Sequence, residues 1–327
     1  LIKVEKGRDS MLDVVTMGET MVAMTAENAG SIKYADRFSK HIAGAESNFA
    51  IGITRLGFNA GWISKVGEDP LGDFVEFSVR GEGVDVSELK RDSERPTGLM
   101  IKEILSKDRA NVYYYRQNSA ASALTTSDIS EDYLKQAKYI HLSGITPALS
   151  KTARDTFFKV LEIAAKHKIK VSFDPNIRQK LWPDEQKMKT ELLKIVKKAD
   201  IILPGIEEAE ILLGIKNPEK AAQEFYQLMG GIVVLKLGEE GSLVYDGKKM
   251  EKVSAFEIEE VVDPIGAGDA FAAGLIAGFL RGMELKEAVK LANLVGAYCV
   301  TVKGDIEGLP SWKEVEVIQG KKSEMQR

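Results

Sequence analysis

Short apolar runs alternate with longer segments of helical periodicity along most of the chain. Six runs read as strands, at 14–17, 61–66, 139–143, 171–174, 201–204 and 232–237. Several are apolar at successive positions, as strands are when both faces of a parallel sheet are covered. Helical patterns fall between them, near 46–57, 70–81, 150–167, 184–198, 206–213 and 217–229, with two more near 267–281 and 285–302. This alternation predicts an α/β fold of right-handed βαβ units around a central, mostly parallel sheet flanked by helices.

Two stretches break the pattern. Residues of about 22–42 and 97–116 are β-like and have no long helix between strands. The run 98–105 alternates loosely, and 111–116 carries Tyr113, Tyr114 and Tyr115 in succession. Inserted strands of this kind predict a small β-sheet lid, because a site that must exclude water needs a cover. An edge hairpin on the main sheet is the alternative. One domain is expected over 11–315, with 1–10 and 316–327 as polar extensions.

Composition narrows the class. The chain has 327 residues, 44% hydrophobic and 29% charged, which suits a globular protein with a sizeable core and excludes a disordered one. Lys and Arg number 45 against 49 Asp and Glu, and a net charge of −4 disfavours nucleic acid as a partner. Cys299 is the single cysteine, so an internal disulfide and multi-cysteine metal sites are excluded; it is expected to pack within the last helix. His41, His141 and His167 show no ligand spacing. No apolar run reaches the roughly 18 residues of a membrane span. The opening LIKVEKGRDS lacks the apolar region of a signal peptide, so the expected compartment is the cytoplasm. The lysine-rich helix near 187–198 reads as a solvated face.

The most informative stretch is DPIGAGDAFAAG at 263–274. Gly266, Ala267 and Gly268 are small residues at the expected start of an apolar helix. Small residues let backbone N–H groups approach an anion, and the helix amino end adds partial positive charge. Asp269 falls in the first turn, where its carboxylate can take a proton from a hydroxyl. An anion cradle beside a general base is what phosphoryl transfer to an alcohol requires. A glycine-rich helix start packed closely on a strand would read the same way. The chain has no G-x-x-x-x-G-K-[ST], and Phe271 occupies the third glycine's place in the dinucleotide fingerprint. Zinc-protease and α/β-hydrolase signatures are absent too.

DPIGAGDAFAAG resembles the carboxyl-terminal signature of the ribokinase-like (PfkB) carbohydrate kinases. AGAESNFAIGITRLG at 43–57, followed by Gly67, resembles the amino-terminal one. Two signatures in the right order extend the resemblance from about Met11 to Trp312. The resemblance implies an ATP-dependent kinase with magnesium as cofactor. It implies Asp269 as base and the amides of Gly266, Ala267 and Gly268 as anion hole. Gly44 and Asn48 would lie at the sugar site. LKLGEEG at 235–241 resembles the nucleotide-binding turn, with Lys236, Gly238 and Gly241 as contacts. Asn293 matches a position that often lines the adenine pocket. The family commonly shows N-x-x-E after the strand ending near Pro204. This chain has GIEE, with Gly205 in the asparagine's place and Glu208 left to organise the magnesium water shell. The family often buries lid strands between subunits, which implies a homodimer or larger assembly.

GAESN at 44–48, YYRQNSAAS at 114–122 and FDPNIRQKLW at 173–182 resemble the 2-keto-3-deoxygluconate kinases of that family. The acceptor expected is this sugar acid, phosphorylated at its terminal hydroxyl. A guanidinium fork binds a carboxylate bidentately, and Arg116 and Arg178 are the candidate clamp. Tyr114 can hydrogen-bond the substrate while packing its ring on sugar carbons. Asp305, in KGDIEGLP, resembles a late acidic residue that contacts hydroxyls or organises the catalytic loop. Met100 stands where an aromatic residue is common in the acid kinases. The alternative is a fructokinase-like or other neutral-sugar enzyme, in which both arginines would be structural.

Overall fold

A computed structural model describes residues 12–106 and 109–320; the expected extension 1–10 and residues 321–327 lie outside it. Its strands are β1 (Val14–Met17), β2 (Met21–Ala26), β3 (Phe38–Ala43), β4 (Ala60–Gly67), β5 (Leu89–Asp92), β6 (Leu99–Ser106), β7 (Arg109–Tyr115), β8 (Tyr139–Ser143), β9 (Lys170–Asp174), β10 (Ile201–Ile202), β11 (Ile232–Lys236), β12 (Ser242–Tyr245) and β13 (Met250–Val253). Nine form one sheet, in the order β13-β12-β11-β10-β9-β8-β1-β4-β5. Pairing is parallel from β11 to β5 and antiparallel only at β11–β12 and β12–β13. All six strands expected for this sheet are in it. The sequence reading missed β5, β12 and β13, which are short and lie at the two margins, where one-sided burial blurs the apolar signal.

The stretches that broke the pattern supply a second sheet, β3-β2-β6-β7. It is separate from the large sheet, so the edge-hairpin alternative is wrong. Its apolar cluster is thin: Met21, Ala23, Ala43 and Met100. β7 is exposed along almost its whole length. A thin sheet with one wet face suits a cover better than a core.

Helices follow local chemistry. Pro70–Gly81 begins with Asp69 as cap, its carboxylate accepting from Gly72 N at 2.8 Å, and with proline at the first position. Helix Ala267–Leu280 is buried on nearly all sides, which is why its sequence is apolar all round. It packs against Ala45–Arg55 and Leu285–Cys299 on one face of the large sheet. Helices Lys151–His167, Glu185–Val196 and Pro218–Met229 contribute to the core on the other face. Cys299 is buried as expected. The last helix among the described residues is Trp312–Ile318.

β1 lies between β8 and β4, so successive connections leave it in opposite directions across the sheet. Such a switch point opens a crevice beyond the carboxyl ends of the strands, the usual ligand site of an open α/β sheet.

Candidate active site

A cavity of about 830 Å³ opens at those strand ends, beneath the small sheet. Glu19 follows β1, Ile145 follows β8, Asn176 to Arg178 follow β9, Gly205 to Glu208 follow β10, and Lys236 to Gly238 close β11. The small sheet adds Met21, Met100, Val112 and Tyr114, with Arg116 just beyond it. Gly266, Gly268, Asp269 and Asp305 complete the wall.

The glycine loop is shaped by its neighbours. Gly266 caps helix Ala267–Leu280 with φ of 80°, the left-handed region that favours glycine. A Cβ there would also lie 2.5 Å from the Asp305 carbonyl oxygen. Gly44 is needed for a different reason. Its backbone is extended, but a Cβ would come within 2.6 Å of the Glu19 carbonyl oxygen.

Asp269 is half-buried in the first helical turn, on the cavity wall, and accepts a hydrogen bond from Asn48 Nδ2 at 2.9 Å. Burial pushes its pKa up to about 8, with Asp174, Glu46 and Asp305 adding repulsion and Asn48 opposing. Burial likewise raises Asp305 to about 6 and Glu46 to about 7. Asn48, expected at the sugar site, lines the cavity; its amide nitrogen donates to Asp269, the side chain also contacts Asp305, and its buried Oδ1 has no partner among the described residues.

Lys236 Nζ lies 2.6 Å from Asp174 Oδ2, on the wall beside Gly268. Burial works against its charge, yet Asp174, Glu208 and Asp269 together raise its pKa above the ordinary value. Glu208 accepts from Gly205 N at 2.8 Å and from Ile177 N at 2.7 Å. Burial raises its pKa, and Asp174 adds to the effect. The missing asparagine at Gly205 is not a steric demand, since φ there is −77° and a Cβ would touch nothing closer than 3.7 Å.

No group of three or more metal-ligating side chains exists among the described residues. Asp174 and Glu208 are nonetheless hard oxygen donors on the cavity wall. That donor set fits a magnesium ion held largely by water and phosphate. Glu208, with both oxygens already on backbone amides, fits the outer water shell.

Arg116 is not a free fork. Its Nε and Nη2 lie 2.7 and 2.5 Å from Glu19 Oε2, and Ser119 donates to the other Glu19 oxygen. Glu19 is 2% exposed, so the pair is a buried ion pair at the cavity edge. The guanidinium also stands over the Tyr114 ring, 6.0 Å from its centroid. Arg178 is exposed on the wall, donates weakly to its neighbour's carbonyl, and faces no carboxylate among the described residues.

Asn293 and Gly241, expected as nucleotide contacts, are not among the residues that line this cavity. Asn293 is buried: Oδ1 accepts from Ser242 and Nδ2 donates to Ser254 O at 2.8 Å, so the side chain ties its helix to the β12–β13 end of the sheet. Gly241 does not line the cavity. It makes a turn at φ of 93°, with the Val253 carbonyl oxygen 2.2 Å from where a Cβ would sit. Gly238 does line the cavity, and Ala267 lies at the helix start rather than on the wall.

The sequence reading missed Glu19, which stands in Met-Gly-Glu-Thr directly after β1, where a strand end at a switch point was the signal. It also assigned no role to Asp174, although the quoted FDPN run contains it.

The chain matches the model for the pfkB family of carbohydrate kinases over residues 11–312. It is 42% identical over 301 residues to the 2-dehydro-3-deoxygluconokinase of Bacillus subtilis, covering 92% of this chain and 93% of that one. Among solved structures, it superposes on a Thermotoga maritima 2-dehydro-3-deoxygluconokinase with a TM-score of 0.87 at 28% identity, over 94% of this chain and 99% of that one. It also superposes on an Escherichia coli putative ribokinase II in complex with ATP and magnesium, with a TM-score of 0.88 at 28% identity, over 95% and 100% of the two chains. With the glycine loop, Asp269 and the lid on one cavity, the fold, the signatures and these likenesses agree that the chain belongs to the pfkB family of carbohydrate kinases.

Proposed function

We propose that the protein transfers the γ-phosphoryl group of ATP to the terminal hydroxyl of 2-keto-3-deoxygluconate, which is 2-dehydro-3-deoxygluconate under its other name. The observation that carries the reading is a single cavity with Asp269 and the glycine loop on one wall and Arg178 on another. The named relatives support the same acceptor.

Asp269 takes the proton of the acceptor hydroxyl as that oxygen bonds to phosphorus. The bond to the β-phosphate oxygen breaks, and ADP leaves. A carboxylate basic to about pH 8 is a stronger proton acceptor than an ordinary one, and Asn48 keeps its oxygen aimed. The amides at 266–268, with the helix amino end behind them, take up the charge that develops on the transferred group. Lys236 adds a cation on the same side. Asp174 and Glu208 would hold a magnesium ion beside the phosphates, where it would supply neutralising positive charge. Arg178 supplies the guanidinium for the acceptor carboxylate, and Arg116, already paired with Glu19, presents its remaining N–H groups beside Tyr114. Gly44 and Asp305 face the acceptor hydroxyls, with Asn48 beside them on the same wall.

The reading assigns the enzyme to the cytoplasm. No helix among the described residues is long and apolar enough to cross a membrane. It also assigns a homodimer or larger assembly, because β7 is an edge strand with Tyr113 and Tyr115 41% and 59% exposed. Sedimentation analysis tests that directly.

The acceptor is tested by ADP release with Mg-ATP against 2-keto-3-deoxygluconate, 2-keto-3-deoxygalactonate, gluconate, fructose and ribose. Turnover confined to the keto-deoxy acids is expected. Turnover with fructose or ribose alone would retain the kinase and remove the arginine clamp.

A further inference from the structure

Lys102 stands on β6 of the lid, two residues beyond Met100 and so on the same face of the strand. Met100 lines the cavity. The Lys102 ammonium lies 3.2 Å from Asp263 Oδ2, with the two side chains only 14% and 8% exposed. Asp263 opens the segment that ends in the glycine loop. Its Oδ1 accepts from Ile265 N at 3.3 Å, and its Oδ2 accepts from Gly304 N at 3.4 Å. Gly304 precedes Asp305, whose carbonyl backs onto Gly266. One carboxylate thus braces both the loop that forms the anion hole and the turn behind it. The cation on that carboxylate comes from the lid.

The placement has a cost that calls for a role. A buried carboxylate is tolerated when a cation satisfies it, and removing that cation leaves an uncompensated charge. A lid lysine in this position makes the geometry of the loop depend on where the lid lies. A second contact runs the same way: His41 of β3 meets Glu307 at 2.9 Å, on the turn that holds Asp305.

We propose that Lys102 is a positioning residue that couples lid closure to the shape of the glycine loop. The amides at 266–268 keep the geometry that receives the phosphoryl group only while the lid holds Lys102 against Asp263. A kinase built this way loses its anion hole when the lid swings away and water enters, which protects ATP from hydrolysis. The inference rests on the kinase reading above but not on the identity of the acceptor.

Hydrogen-exchange mass spectrometry on the ligand-free full chain tests the link without any acceptor. Lys102→Met should speed exchange by about tenfold or more in peptides covering 262–268 and 302–306, as expected for loss of a buried cation, and leave peptides of the large sheet unchanged. Lys102→Arg should restore protection. In turnover, Lys102→Met should lower kcat by about tenfold to a hundredfold, the scale of a misplaced catalytic loop, with KM for ATP within about twofold. Unchanged exchange in both peptides would overturn the proposal whatever the acceptor is. Faster exchange throughout the chain would overturn it too, by making the pair a general stabiliser. Failure of the acids as acceptors, with the exchange result intact, would reject only the acceptor assignment.

Discussion

Asn48 Nδ2 donates to Asp269 Oδ2 at 2.9 Å, joining side chains 221 residues apart in sequence. The two glycine-rich signatures therefore meet at one hydrogen bond. Asn48 comes from the first turns of helix Ala45–Arg55 and Asp269 from the first turn of Ala267–Leu280, and those helices pack side by side. The contact aims the carboxylate proposed above as the base.

Replacing that base should stop the chemistry and spare the binding. Asp269→Asn keeps the shape and removes the proton acceptor. Its kcat should fall by about a thousandfold, within the range for loss of a general base, with the affinity for ATP little changed. Steady-state turnover together with nucleotide binding by calorimetry checks both halves.

Asn48 makes a separate prediction about pH. Its hydrogen bond lowers a pKa that burial has raised to about 8. Asn48→Ala removes the lowering contribution, so the Asp269 carboxyl keeps its proton to higher pH. The acid limb of the kcat/KM profile should move upward, with a larger loss of activity at pH 6.5 than at pH 9. A profile scaled down equally at every pH would show that Asn48 acts otherwise.

The acid cluster also predicts how stability depends on pH. Glu46, Asp269 and Asp305 have folded pKa values of about 7, about 8 and about 6, raised from 4.5, 3.8 and 3.8. Between those unfolded and folded values the folded state binds more protons than the unfolded one, so stability falls as pH rises through that window. The Tm of the ligand-free protein should decline from pH 5 to pH 8. Asp269→Asn should flatten the decline and exceed the parent Tm at pH 8, with the difference vanishing near pH 4. Surface carboxylates held low, such as Glu131 at about 2, act oppositely but only in stronger acid.

The two arginines should separate stability from recognition. Arg116→Ala leaves Glu19 buried without its cation, a loss of about 3–5 kcal/mol by analogy with other broken buried pairs. Arg178→Ala removes an exposed side chain and should leave the Tm unchanged. It should raise KM for the acid by about tenfold to a hundredfold, the scale of a charge-assisted hydrogen bond. Thermal melts and acceptor titrations on both variants decide this.

The architecture was legible because its signals are local. Apolar runs of strand length mark β1, β8, β9, β10 and β11, and Asp69 followed by Pro70 marks a helix start. The lid announced itself as two β-like stretches without helices. The margins of the large sheet did not, since β5, β12 and β13 are four residues each, too short for a clear pattern, and β5 and β13 are only partly buried. At the site, Asp269 and the glycine loop were readable because a helix start is a local feature. Family position alone did not show that the Asn293 side chain is already hydrogen-bonded to Ser242 and Ser254, or that Gly241 sits in a turn off the cavity wall.

The sequence by itself determined the class of fold, the glycine loop at a helix start and the carboxylate beside it. Each of those depends on neighbours within a few residues, where backbone geometry and side-chain period act directly. Only the tertiary structure decided which polar groups are free. Glu19 with Arg116, Asp174 with Lys236 and Lys102 with Asp263 are pairs separated by 62 to 161 residues. Burial makes such pairing obligatory, because an unpaired charge away from water is too costly to keep. Which cation meets which carboxylate follows from strand order and helix packing, and no local pattern encodes it.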